Sequence, residues 1–202
     1  MFILYALVVG FVLGLLLGGR PAGLANLQFR WPWLILGGLL VQVMLFSDQV
    51  AKVVGDLGPW IYVGSTGLVF LGVLRNIDIS GMKIVALGAA SNLAAIVANG
   101  GYMPASRGAL EALGKTDPTI YSNSATLAHP ALEPLTDIFA LPAWLPFANV
   151  FSVGDVLIGV GVAIVIVAAM RRLPAEPGDG PVVSQHGGIS GVGGPAGGPV
   201  GG

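Results

Sequence analysis

Residues 156–170 read VLIGVGVAIVIVAAM, with Ser152-Val153-Gly154-Asp155 ahead of the run and Arg171-Arg172 behind it. No charge interrupts it. A hydrocarbon core about 30 Å thick needs about 20 mainly apolar helical residues, less some slack for tilt and flanking anchors. Four other stretches, 2–17, 33–45, 60–74 and 84–98, have the same character. The expected fold is therefore all-α: an integral membrane bundle of about five transmembrane helices. Charged residues are 9% of the chain, against about 25% in a soluble domain. A water-facing surface cannot be built from so few charges, whereas lipid-facing helices need none.

The connections divide the chain. Residues 1–172 form the transmembrane domain, with a long outer loop at about 99–151. Residues 173–202 are a Gly/Pro-rich tail that cannot bury enough apolar surface to offset its ordering entropy, and they are expected to be disordered. The second span opens at Trp31-Pro32-Trp33 and is expected to outrun the bilayer, with Asp48, Lys52 and Asp56 on one helical face. The first span has no cation ahead of it and a poor cleavage site at Pro21-Ala22-Gly23, so it reads as a retained helix and not a signal peptide.

Orientation follows from Lys and Arg. Arg20, Arg30, Arg75, Lys83, Arg171 and Arg172 fall on one side, and Lys52, Arg107 and Lys115 on the other. This puts the N-terminus outside and the C-terminus in the cytoplasm. A net charge of -1 gives no electrostatic pull on nucleic acid, and the chain has no cysteine for thiolate chemistry or disulfides.

Gly10, Gly14 and Gly18 lie on one stripe of the first span, where another helix can approach closely. The stripe serves either packing within the bundle or a homo-oligomer seam through helix 1. Gly88, Ser91, Ala95 and Ala98 narrow the fourth span in the same way. Gln42, Ser65, Thr66, Ser91 and Asn92 are the polar residues inside the spans, read as hydrogen-bonding glue. No span carries an ionisable residue at its middle, which counts against a proton-coupled transporter.

Ser152 and Asp155 have capping-box spacing at the start of the fifth span. Ser-Val-Gly-Asp also loosely resembles the Gly-x-Gly-Asp motif of intramembrane aspartyl proteases, but that chemistry needs two carboxylates at one site, and no other span supplies the second. His129 with Glu133 and Asp137 is too thin a ligand set for zinc. The segment 131–142 suits a short surface helix or a re-entrant hairpin, and 143–151 an interfacial segment. Asn99-Gly100-Gly101 ends the fourth span in left-handed geometry and could cradle a polar head group. The candidate ligand-binding set is Asn99, Gly100, Gly101, Asp137 and Asp155. No catalytic residue, metal or cofactor is assigned.

Asn99-Gly100-Gly101-Tyr102-Met103-Pro104, Leu135-Thr136-Asp137-Ile138-Phe139 with Leu141-Pro142, and Phe151-Ser152-Val153-Gly154-Asp155-Val156-Leu157-Ile158 together resemble domain of unknown function 5317. The resemblance spans about residues 1–172 and implies a bacterial integral membrane protein with about five helices. It brings no activity or site residue. The leading functional expectation is a non-enzymatic accessory component that contacts a membrane-protein partner. The alternative is a small-molecule or lipid binding or transport protein with an outer-leaflet site, and a membrane hydrolase comes third.

Overall fold

The computed structural model describes residues 2–114 and 127–172. The expected tail, 173–202, and Lys115 lie outside the described residues. The chain is mostly helical. Helix α1 runs Phe2–Leu16, α2 Pro32–Leu45, α3 Asp48–Val54, α4 Gly58–Arg75, α5 Met82–Ala98, α6 Arg107–Ala112 and α7 Val153–Arg171. The five long apolar stretches thus become α1, α2, α4, α5 and α7, each starting one to three residues before its sequence estimate or at it. Two helical stretches, Lys52–Arg75 (the end of α3, the turn after it and α4) and Val153–Arg171 (α7), are long and apolar enough to cross a membrane, and most of their residues are not buried.

Local chemistry sets the ends. Pro32 and Pro59 sit in the first turns of α2 and α4, where a missing N–H is harmless. Left-handed Gly81 precedes α5, and Gly100 and Gly101 follow it with φ of 68° and 90°. The second span does not outrun its length as one helix. It stops at Leu45, and α3 and the 3-10 turn Gly55–Leu57 lead into α4. Lys52 and Asp56 therefore sit on a separate short helical segment.

The long helices pack in a row, α1–α7–α5–α4–α2, with α7 inserted between α1 and α5. Glycines make this possible. A Cβ on Gly10 or Gly14 would run into Ala163 or Met170 of α7, and one on Gly88 would run into the α7 backbone at Gly154 and Ile158. Gly38 and Gly72 bring α2 and α4 together in the same manner. Such contact is what van der Waals attraction between helices requires in an apolar medium. Gly18 differs: nothing lies within 4 Å of where its Cβ would be.

The all-α expectation needs correction in the loop. Left-handed Leu132 and the proline of Glu133-Pro134 limit the local helix to one 3-10 turn, Glu133–Leu135, instead of a surface helix or hairpin. Strand β1, Phe139–Ala140, then pairs antiparallel with β2, Val150–Phe151. Asp137 bridges Ala105, and Ala105, Ala109, Leu110 and Val150 form a small core of their own. The loop is tied to the bundle by the Tyr5 hydroxyl, which donates to the Pro146 carbonyl, and by the Phe2–Phe151 ring stack at 4.6 Å.

Gly88→Ala should push α5 from α7 and lower stability by about 1–3 kcal/mol, as overpacking does. Gly67→Ala, which meets nothing within 4 Å, should be neutral or stabilising by up to about 1 kcal/mol through helix propensity. Thermal unfolding of the two variants side by side in one detergent measures the difference.

Candidate functional site

Helix α7 opens with a complete capping box. The Ser152 hydroxyl accepts from the Asp155 N–H at 3.0 Å, and the Asp155 carboxylate accepts from the Ser152 N–H at 3.1 Å. The carboxylate sits at the positive end of the helix dipole. Asn92 of α5 closes this box from across the interface. Its Nδ2 donates to Asp155 Oδ1 at 2.9 Å, and its Oδ1 accepts from the Ser152 hydroxyl at 2.8 Å. Ser152 is fully buried. Gly154 is the residue that lets Asn92 in, because a Cβ there would overlap its amide.

Asp137 approaches from the loop. Its backbone is fixed on both sides: its N–H donates to the Pro104 carbonyl at 2.9 Å, and its carbonyl accepts from the Ser106 N–H at 3.0 Å. The side chain is buried, and burial pushes its pKa up to about 7, with the negative charge of Asp155 adding to the shift. The Tyr62 phenol of α4 lies within electrostatic reach of both carboxylates. The second carboxylate that no span supplies is therefore brought by the loop.

The remaining expected residues have other tasks. Asn99 donates to the Ala95 and Ala131 carbonyls, each at 2.8 Å, and accepts from the Ala131 N–H at 2.8 Å, so it clamps the loop. Gly101 packs on Pro59, and Gly100 faces open space. Of the five residues, Asp137 and Asp155 lie within electrostatic reach of each other. Asn76 mirrors Asn99 at the other end of the bundle, where its side chain holds the Arg30 backbone through both N–H and carbonyl. Sequence reasoning passed over these clamps, although each asparagine stands at a helix C-cap.

Beside Asp155 the helices leave a cavity of about 420 Å³. Its walls come from one end of the bundle: the start of α1 (Phe2), the end of α2 (Gln42, Phe46), the start of α4 (Tyr62, Thr66), α5 (Asn92) and α7 (Asp155). Gln42 donates to the Thr66 hydroxyl at 3.2 Å across it. Asn149, also in its wall, has a buried Oδ1 with no hydrogen-bond partner among the described residues. Sequence spacing could not give Tyr62 or Asn149, because the packing of α4 places the first and the course of the loop the second. A second cavity of about 500 Å³ lies within the loop, against Arg107, His129, Glu133 and Thr136. Among the described residues, no three His, Asp or Glu side chains are placed to hold a metal.

A family of unknown function, DUF5317, matches residues 26–167, so the chain belongs to that family. No curated protein and no solved structure gives a significant match.

Because Asp137 binds its proton more tightly in the fold than in the unfolded chain, it favours folding most at low pH. That contribution fades as pH rises from about 4 to about 7. The wild type should melt at a lower temperature at pH 8 than at pH 5.5. Asp137→Asn, which mimics the neutral acid, should shrink that difference. Thermal melts at the two pH values check it, and Asp137→Asn melts with an unchanged pH dependence would contradict the assignment.

Proposed function

We propose that this family member is a multi-pass protein of the bacterial cytoplasmic membrane, with five spans, N-terminus out and C-terminus in. In this reading it binds a small amphiphilic molecule in the cavity at the outer end of the bundle. The cavity is the observation that carries the binding reading. Its walls are mainly apolar, with a few convergent polar groups, and its size lies in the range of about 300–1,000 Å³ usual for ligand sites.

The membrane reading is supported by what the helices present outward. Leu16 is 76% exposed, Val43 71% and Val53 87%. Helices α1 and α7 are apolar all round, which suits a protein core or a membrane, and a core would not leave such residues bare. Trp31, Trp33 and Trp60 stand at helix starts with half or more of their surface exposed, as interfacial anchors do. Arg75 lies over the Trp31 ring at 5.1 Å, on the side that carries most of the cations.

The accessory role expected from sequence leaned on a free close-packing stripe. Gly10 and Gly14 are covered by α7 of the same chain, so less of that stripe is left for a partner. None of the described residues fills the cavity, and a binding role therefore fits the geometry better.

The absence of cysteine makes topology directly testable. Ser47→Cys, between α2 and α3, should react with a membrane-impermeant thiol reagent in cells with an intact cytoplasmic membrane. Ser80→Cys, before α5, should react only after permeabilisation. The opposite pattern would reverse the orientation, and labelling of both in intact cells would refute the span count.

For binding, Ala89 lines the cavity, and Ala89→Phe should fill it. Native mass spectrometry of gently purified full-length protein should find a co-purifying small molecule on the wild type and lose it in Ala89→Phe. An equal ligand load on two equally stable proteins would sink the reading.

A further inference from the structure

We propose that the cavity selects a protonated amine on an apolar chain, held by Asp155 and Asn149 with its hydrocarbon part among aromatic rings. The inference rests on the binding reading above and specifies its ligand class. Three features of the wall point the same way.

First, two acceptors in the wall have capacity to spare. Asp155 receives one bond from Asn92 and one from the Ser152 N–H, and a carboxylate has about four lone-pair sites. The buried Asn149 Oδ1 receives none among the described residues, and its Nδ2 donates to the Val150 carbonyl at 2.7 Å. A buried acceptor without a donor is costly, and an ammonium N–H is a donor of the right kind. Second, charge is one-sided. Among the described residues no Lys or Arg lines the cavity, and Asp137 stands close enough to Asp155 for their charges to interact. An anionic head group would meet repulsion there, and a neutral one would leave the carboxylate uncompensated. Third, Phe2, Phe46, Tyr62 and Phe70 bring aromatic rings to the same wall, with Phe46 and Tyr62 in edge contact at 5.2 Å. Ring faces attract cations, and ring bodies accept a hydrocarbon chain.

The proton and the charge are both used. An amine carries N–H donors for Asn149 and positive charge for Asp155. An alcohol offers a donor without charge, and a quaternary ammonium offers charge without a donor.

The test uses the full chain in a non-ionic detergent at pH 7.5 with four probes of equal chain length: decylammonium, decyltrimethylammonium, decanol and decanoate. Affinity is read from the concentration dependence of the thermal shift. Decylammonium should bind at least about tenfold more tightly than each of the others, as charge-assisted hydrogen bonds allow. Asp155→Asn should bring decylammonium down to the level of decanol and leave decanol unchanged. Asn149→Leu leaves the capping box intact and should erase the preference for decylammonium over decyltrimethylammonium. Binding of decanol, decanoate or decyltrimethylammonium as tight as that of decylammonium would overturn the amine assignment while leaving a ligand site in place. No shift with any probe, together with equal ligand loads on the wild type and Ala89→Phe, would remove both readings.

Discussion

The close approach of α5 and α7 is the constraint on which the rest of the molecule depends. Gly88 and Gly154 face each other with no room for a side chain on either. That proximity lets Asn92 reach the Ser152–Asp155 capping box and bond to both of its side chains. The box then does two jobs. It ends the loop and starts the last helix, and it fixes a carboxylate at one wall of the cavity. If the helices stood a methyl group further apart, Asn92 would lose both bonds, and the start of α7 would lose its link to α5.

Two asparagines extend the same logic to the connections. Asn76 and Asn99 sit at the C-caps of α4 and α5, and each bonds a carbonyl four residues back in its own helix. Each also grips a distant strand of backbone through both its amide nitrogen and its oxygen: Arg30 in one case and Ala131 in the other. A single side chain thus satisfies a helix end and docks a linker. Through Asn99 the loop is held over the end of α5, and the Ala105–Asp137 bridge fixes Asp137 within electrostatic reach of Asp155. A carboxyl group buried in this way favours its protonated form, because desolvation and a neighbouring negative charge both act against ionisation.

The five long helices were legible because their signal is local. Each is an apolar run bounded by Gly, Pro or a charged pair, and length and composition suffice to find it. The Ser152–Asp155 cap was legible for the same reason, as a spacing of three residues. The loop was not. Its 3-10 turn, two-residue strands and small core depend on contacts between residues far apart in the chain, such as Phe139 with Phe151 and Ala105 with Asp137. Apolar and acidic residues interleaved between prolines fit several backbones equally well. Asn92 could be read as a cross-helix hydrogen bonder, but its partner depends on which helix packs against α5. That partner is α7, separated from it by the whole loop.

The cavity has a physical origin in the same packing. Glycines draw α7 onto α1 and α5, and other glycines draw α2 onto α4. The bundle is thus two tight groups joined along α4 and α5. In the seam between them the side chains are large: Phe2 on one group, and Phe46, Tyr62 and Phe70 on the other. Small residues close one set of interfaces, and bulky rings hold the other open at one end. A gap left this way in a close-packed apolar bundle would usually be dry and lined by hydrocarbon. This one instead has Asp155, Asn149 and the Gln42–Thr66 pair in its wall. Polar groups facing a gap in an apolar bundle need hydrogen-bond partners there, and water or a bound polar head supplies them. The wall therefore differs in kind from the purely apolar gap that loose packing of the rings alone would leave.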